Sequence, residues 1–564
     1  MVEIISDNII SPLGFSTKEN YECVKNGKTA LKTFFFSGID SEITAALFSK
    51  EQTSALSLKG FSRFESLVLH SIENAIKNCK EDFNLKQTVF ILSTTKGNIE
   101  LLNENSKAED FSVAESAKKI ADYFNFSSSP ITICNACISG VHAIITAQRL
   151  LQKGFYKYAV VCGADLQSLF TISGFFSLKA MSNDKCRPFD LERLGMNLGE
   201  AGATIILKHS EKEENSSNQN WKIISGIVRN DAYHISSPSK NGEGTFLAIQ
   251  SAVNEEIKQD LSFINAHGTA TMFNDQMEAT AISRAGLNNV PVNALKGFFG
   301  HTLGAAGILE TIISKAAIED KTVLGTLGYK ERGVSKELIL SNQNTKTDKE
   351  TFLKLISGFG GCNAALVVSK NVFPKEKISD FRIEKTHHVV LKPNILIIDN
   401  QEITRETDGD FLTEIYKKRI NDYPKFYKMD PLSRLGFLSS EMLKIFIKTE
   451  NSPEEISTVF FNNSSSIISD KNFLKTISNP NEFFPSPSIF IYTLPNIVTG
   501  EIAVRNGFKG ETAFYILDKK DEEIMQKIIS TVFLDKKITS VIGGWLNYNS
   551  PEDFLADLFI FSKN

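Results

Sequence analysis

In "ITICNACISG" (131–140), Cys134 and Cys137 stand three apart where an apolar run turns into Ser-Gly. A C-x-x-C supplies half of a zinc site, a redox pair, or one nucleophile beside an unrelated cysteine. The zinc option lacks half its ligands, because no second such pair occurs among Cys23, Cys79, Cys134, Cys137, Cys162, Cys186 and Cys362. The redox option suits a strand-to-helix junction, although no thioredoxin-sized unit surrounds it. The nucleophile option suits Cys137. Ser139-Gly140 leads into a helical run there, and the positive end of a helix favours thiolate. Cys134, inside the apolar run, would be a small core residue. A nucleophile needs partners, and two of the eight histidines stand in small-residue turns: His267 in "NAHGTATMFND" and His301 in "KGFFGHTLGAAG".

The elements around these residues alternate. "TVFILSTT" (88–95), "YAVVCGAD" (158–165), "ATIILKH" (203–209) and "LSFINAHG" (261–268) read as apolar strands, and "GVHAIITAQRLLQ" (140–152) as a buried helix. Continuous apolar strands separated by helices predict an α/β chain whose sheets are covered on both faces. Part of the pattern repeats. "FSRFESLVLHSIENAI" before "TVFILSTT" returns as "LSRLGFLSSEMLKIFI" (432–447) before "TVFFNNSS" (458–465), and "YAVVCGAD" is echoed by "TSVIGGWL" (539–546). Between the copies, "NVFPKEKISDFRIEKTHHVVLKPN" is charged, with Pro374 and Pro393 near its ends. It predicts a linker over 372–393, a first region over 1–371 and a last domain over 394–564.

Composition bounds the rest. The chain has 564 residues, 42% hydrophobic and 23% charged, with a formal net charge of −4. That balance offers no basic face for nucleic acid. The sequence shows neither a secretory signal nor an apolar run of membrane-spanning length, so a cytoplasmic protein is expected.

On these residues the sequence resembles β-ketoacyl-acyl-carrier-protein synthases of the decarboxylating Cys-His-His type. "NACISG" matches the nucleophile turn. "AHGTATMFND" with Glu278, and "KGFFGHTLGAAG" with Glu310, match the two histidine motifs. "RPFDLERLGMNLGEAG" (187–202) and "GFGGCNAALV" (358–367) match two more. The resemblance covers residues 1 to about 371. It implies a thiolase-like α-β-α-β-α layered fold, with an N-terminal half over about 1–210 and a C-terminal half over about 211–371.

The resemblance also implies roles. Cys137 would take an acyl group from a carrier-protein thioester, with the N–H groups of Cys137 and Phe359 as oxyanion hole. His267 and His301 would stabilise the enolate formed as malonyl thioester loses carbon dioxide. Lys296 would hold the histidine network, paired with Glu310. Phe359 would be a gate moving on Gly358 and Gly360, and Thr269 and Thr271 would bind the phosphopantetheine arm. No cofactor of the enzyme's own is implied. The partners implied are an acyl carrier protein and a homodimeric or heterodimeric subunit.

The sequence departs from the family at Cys362, where threonine is usual. A "PN…G" segment, absent from the first region, occurs instead as "LPNIVTGEIAVRNGFKG" (494–510). The last domain lacks a cysteine and resembles the N-terminal half of chain-length factors, the inactive partners of polyketide ketosynthases. The nearest look is to aryl-polyene and flexirubin-type ketosynthases. Ordinary fatty-acid elongation and a non-catalytic partner role are the rivals.

Overall fold

The computed structural model describes residues 1–563 except 37–38, 40–41, 104, 211–219, 374–380 and 449. Its first sheet contains β1 (Val2–Ile10), β2 (Thr88–Ser93), β3 (Ile131–Ile133), β4 (Tyr158–Asp165) and β5 (Ala201–His209). β5 lies antiparallel between β1 and β4, and β4, β2 and β3 run parallel, which gives the order 1-5-4-2-3.

The same order returns twice. β6 (Trp221–Asn230), β7 (Leu261–Asn265), β8 (Pro291–Asn293), β9 (Thr351–Gly358) and β10 (Cys362–Ser369) form the second copy. β11 (Ile383–Lys392), β12 (Ile456–Asn462), β13 (Thr512–Ile516), β14 (Ser540–Ser550) and β15 (Asp553–Lys563) form the third. The sequence echo reveals the first and third copies. It misses the second, whose connections differ in length from those of the first and carry the histidines.

Helices cover the sheets because each has an apolar face to hide. α1 (Arg63–Asn78) lies on the outer face of the first sheet, in one core with Phe90, Val160 and Ile206. α2 (Ser139–Gln152) is buried on every side from Ser139 to Leu151. α3 (Glu243–Ala252) and α4 (Met272–Arg284) cover the outer face of the second sheet. α5 (Ala306–Glu319) is buried beside α2 in the core between the first two sheets. Layering runs helix, sheet, helix, sheet, helix. α2 and α5 meet at their N-termini through glycine: a Cβ on Gly140 would lie 2.8 Å from the Gly304 carbonyl, and one on Gly307 2.5 Å from the Val141 nitrogen. Only bare backbone permits that approach.

The third copy joins the first edge to edge. β13 pairs antiparallel with β3, Tyr515 opposite Ile133, so the two sheets continue through a single chain. α6 (Pro431–Lys444) covers the outer face of this copy, α7 (Ile497–Asn506) packs beside α6, and α8 (Glu522–Val532) lies against α2. Buried charges cross the seam. Arg149 donates to Glu511 at 2.6 Å, Arg229 pairs with Asp535, and Lys96 with Asp470. Removing one partner of such a pair would leave the other charge buried and uncompensated.

The predicted linker needs correction. Residues 383–392 form β11, the first strand of the third copy, so the connection ends before them and that copy starts earlier than 394. Its charges mislead because they sit on aromatic faces: Lys385 lies 4.3 Å from the Phe559 ring centre, and His388 stacks on that ring at 4.0 Å. Pro374 and the boundary near 211 lie outside the described residues. Among the described residues no helix is long and apolar enough to cross a membrane.

Candidate active site

The site gathers at the carboxyl ends of equivalent strands in the first two copies. Cys137 sits in a tight turn, Ala136–Ile138, between β3 and α2. Ala136 holds φ +48°, a left-handed conformation that residues with a Cβ rarely adopt. The turn is braced: the Asn135 N–H donates to Ser139 Oγ at 2.8 Å, and Ser139 Oγ donates to the Ala136 carbonyl at 2.6 Å. Cys134 points into another core, and its N–H donates to the Phe514 carbonyl at 3.1 Å. At the equivalent place in the third copy, between β13 and α8, stand Lys519, Lys520 and Asp521.

His267 follows β7. Its N–H and that of Gly268 donate to Glu278 of α4 at 2.7 and 2.8 Å, which holds the turn closed. His301 follows β8 and the short helix Lys296–Phe299, and its N–H donates to the Asn197 carbonyl at 2.7 Å. The imidazoles meet edge to face with centres 5.0 Å apart. One ring nitrogen of each and the Cys137 Sγ lie within 4.8 Å of one another.

Burial and then the positive charge of Lys296 hold both histidines well below the usual pKa, so both rings are neutral at physiological pH. Nδ1 of His301 accepts the Leu303 N–H at 3.2 Å, which leaves the proton on Nε2. That nitrogen is buried without a protein partner among the described residues, as is Nδ1 of His267. A donor without a partner suits an oxygen that arrives with substrate. The Cys-His-His donors are also of a kind that binds zinc, but the cations behind them oppose a further positive charge.

Lys296 donates to the His267 carbonyl at 2.6 Å and to Glu310 Oε1 at 2.8 Å. Lys354, in the middle of β9, pairs with Glu310 Oε2. Burial alone would raise Glu310, yet the two lysines outweigh it and hold the carboxyl below its ordinary range. The sequence analysis passes over Lys354, whose one signal is a lone charge inside the apolar "TFLKLISG". It also passes over Asp165 at the end of β4. This buried carboxylate accepts from Thr94 Oγ1 at 2.8 Å and from the Gly304 N–H at 2.7 Å, tying the first copy to the turn before α5.

Burial pushes the Cys137 thiol up to about 12 against the pull of Lys296, so the surroundings favour thiol where the helix-end position alone predicts thiolate. Phe359 occupies the turn between β9 and β10. A Cβ on Gly358 would lie 3.1 Å from the Cys137 nitrogen, which puts the two backbone segments side by side. Cys362 Sγ donates to the Phe359 carbonyl at 3.2 Å, a bond that a threonine hydroxyl would also make. A cavity of about 410 Å³ opens above Cys137, His267, His301 and Phe359, with Thr269 and Thr271 on its wall and their hydroxyls 2.8 Å apart.

Residues 2–213 match the family model for the β-ketoacyl synthase N-terminal domain, and residues 222–330 that for its C-terminal domain. The 3-oxoacyl-[acyl-carrier-protein] synthase 2 of Coxiella burnetii is 26% identical over 412 residues, covering 65% of this chain and 98% of that protein. The ketosynthase ApeO, solved in complex with its chain length factor ApeC from Xenorhabdus doucetiae, superposes with a TM-score of 0.55 at 23% identity, over 65% of this chain and 97% of that one. The PfaC keto synthase-chain length factor reaches 0.74 at 14% identity and covers 96% of this chain and 73% of that one. The fold is thus the thiolase-like one of ketosynthases, and with matches to both domain models over more than half its length the chain belongs to the β-ketoacyl synthase family.

Proposed function

We propose that the chain catalyses decarboxylative Claisen condensation, extending an acyl thioester by two carbons from malonyl thioester on an acyl carrier protein. The observation that carries this is the convergence of Cys137 with two neutral histidines within 4.8 Å. Cys137 attacks the acyl thioester, the N–H groups of Cys137 and Phe359 receive the oxyanion, and the carrier thiol leaves with the proton that Cys137 gives up. The second thioester then enters, the Nε2–H of His301, with His267, stabilises the enolate oxygen as carbon dioxide leaves, and the enolate carbon attacks the acyl group, which frees Cys137. Lys296, Glu310 and Lys354 fix the histidines from behind. Thr269 and Thr271 line the phosphopantetheine path; beyond that arm no cofactor is invoked.

The finer assignment is a polyketide pigment pathway, which rests on the sequence resemblance to aryl-polyene and flexirubin-type ketosynthases. In it, residues from β11 onward serve as a chain-length-factor-like half, the partner subunit being partly supplied from within, and the protein works in the cytoplasm. Housekeeping fatty-acid elongation is the alternative, distinguished by the length and reduction state of chains trapped on Cys137. Cys137→Ala should abolish acyl loading, measured as the intact mass after incubation with an acyl thioester, while Cys134→Ala keeps most of it. Equal loss in both would point to a redox pair, and no loading of Cys137 in the unaltered folded chain to a non-catalytic partner.

A further inference from the structure

A gate needs something to hold it shut, and for Phe359 that group comes from the far end of the chain. The Phe359 ring stacks on Phe175, with centres 6.2 Å apart, and packs against a cluster of Ala136 and Ile235 with Leu494 and Ile497 of the third copy. Its carbonyl accepts a hydrogen bond from Asn496 Nδ2 at 2.8 Å.

Asn496 stands at the N-cap of α7, where an asparagine side chain ordinarily accepts from the first free N–H groups. Here it makes no such cap, and its Oδ1 is buried without a protein partner among the described residues. The cap is forgone, and the amide nitrogen reaches the Phe359 turn instead. The backbones are fitted to match. Gly360, at φ +89°, leaves 2.7 Å between the place of a Cβ and Asn496 Nδ2, and a Cβ on Gly500 would lie 2.7 Å from the Gly360 Cα. Asn496 and Gly500 are the ends of "NIVTG", the segment present in the third copy and absent from the first.

We propose that Asn496 is the latch of the Phe359 gate, a positioning residue through which the third copy sets how often the acyl channel opens. The proposal rests on Phe359 being the gate. A small group reaches Cys137 through the cavity with the gate closed. A long chain must displace the Phe359 ring, and that movement breaks the bond to Asn496. The third copy, without a nucleophile of its own, would thereby select against long or premature occupants.

The test compares alkylation of Cys137 in the full chain by iodoacetamide and by N-hexyl-iodoacetamide, read by mass spectrometry of the peptide carrying Cys137. Asn496→Ala and the near-isosteric Asn496→Leu should accelerate the hexyl reagent about fivefold, the worth of one net hydrogen bond, and leave iodoacetamide unchanged. Gly500→Ala, which pushes on Gly360 by a different route, should act in the same direction. Phe359→Ala is the control for the gate and should accelerate the hexyl reagent without any latch. If Phe359→Ala does so while the Asn496 variants do not, the latch is overturned and the gate stands. If Phe359→Ala has no effect, the gate itself fails and the latch with it. Equal acceleration of both reagents in the Asn496 variants would mean general loosening, which also overturns the proposal.

Discussion

With the Leu303 N–H on its Nδ1, His301 can only offer a proton, from Nε2. It therefore suits a step in which negative charge grows on an oxygen, and has no lone pair free to accept the Cys137 proton. His301→Ala should keep acyl loading but lose malonyl decarboxylation by about 10²-fold, the usual effect of removing one preorganised donor. Release of carbon dioxide from a malonyl thioester checks this, alongside the intact mass of the loaded enzyme. Loss of loading as well would assign His301 to deprotonating Cys137. His267, whose Nδ1 has no protein partner, is free of that constraint. The same economy explains Cys362, which departs from the family yet donates to Phe359 as a hydroxyl would.

Strand β9 carries more of the site than its apolar pattern suggests. It delivers the Phe359 turn at one end and, five residues before Phe359, Lys354 beneath the histidines. Glu310 on α5 is buried between Lys354 and Lys296, each within salt-bridge reach. Removing one member of such a group leaves a buried charge under-compensated. Lys354→Met should lower unfolding free energy by about 3–5 kcal/mol, measured by denaturant titration of the full chain. A change under about 1 kcal/mol would show that water reaches Glu310 and that the triad is not a buried unit. Helices α2 and α5 act through geometry alone, since their glycine contact sets how near Cys137 comes to His301.

Across the whole molecule, the third copy completes what the first leaves open. It pairs with the β3 edge, neutralises Arg149 and Arg229, and touches both the Cys137 turn, through the Thr512 carbonyl on Asn135, and the Phe359 turn. A chain ending near 371 would expose that edge and strand both arginines without their carboxylates. It should aggregate, or alter its product length while Cys137 still accepts an acyl group. Light-scattering mass and product analysis, set against the full chain, decide the matter. A truncated protein with unchanged mass state and products would show the third copy to be dispensable.

Cys137, His267 and His301 are legible in the sequence because each lies in a local turn of small residues after an apolar strand, and strand-and-turn chemistry is a short-range property. The repeat is legible where helix and strand keep their spacing. What tertiary structure decides is what depends on distant atoms. The second copy of the sheet is hidden by its connections. The strand at 383–392 reads as a linker until Phe559, some 170 positions later, covers its charges. The Cys137 thiol is raised by surrounding protein that no local motif encodes. Lys354 and Asn496 matter only because folding sets one under Glu310 and the other on the carbonyl of a residue 137 positions away. Desolvation and hydrogen bonding act through space, and only the packed chain fixes which atoms share it.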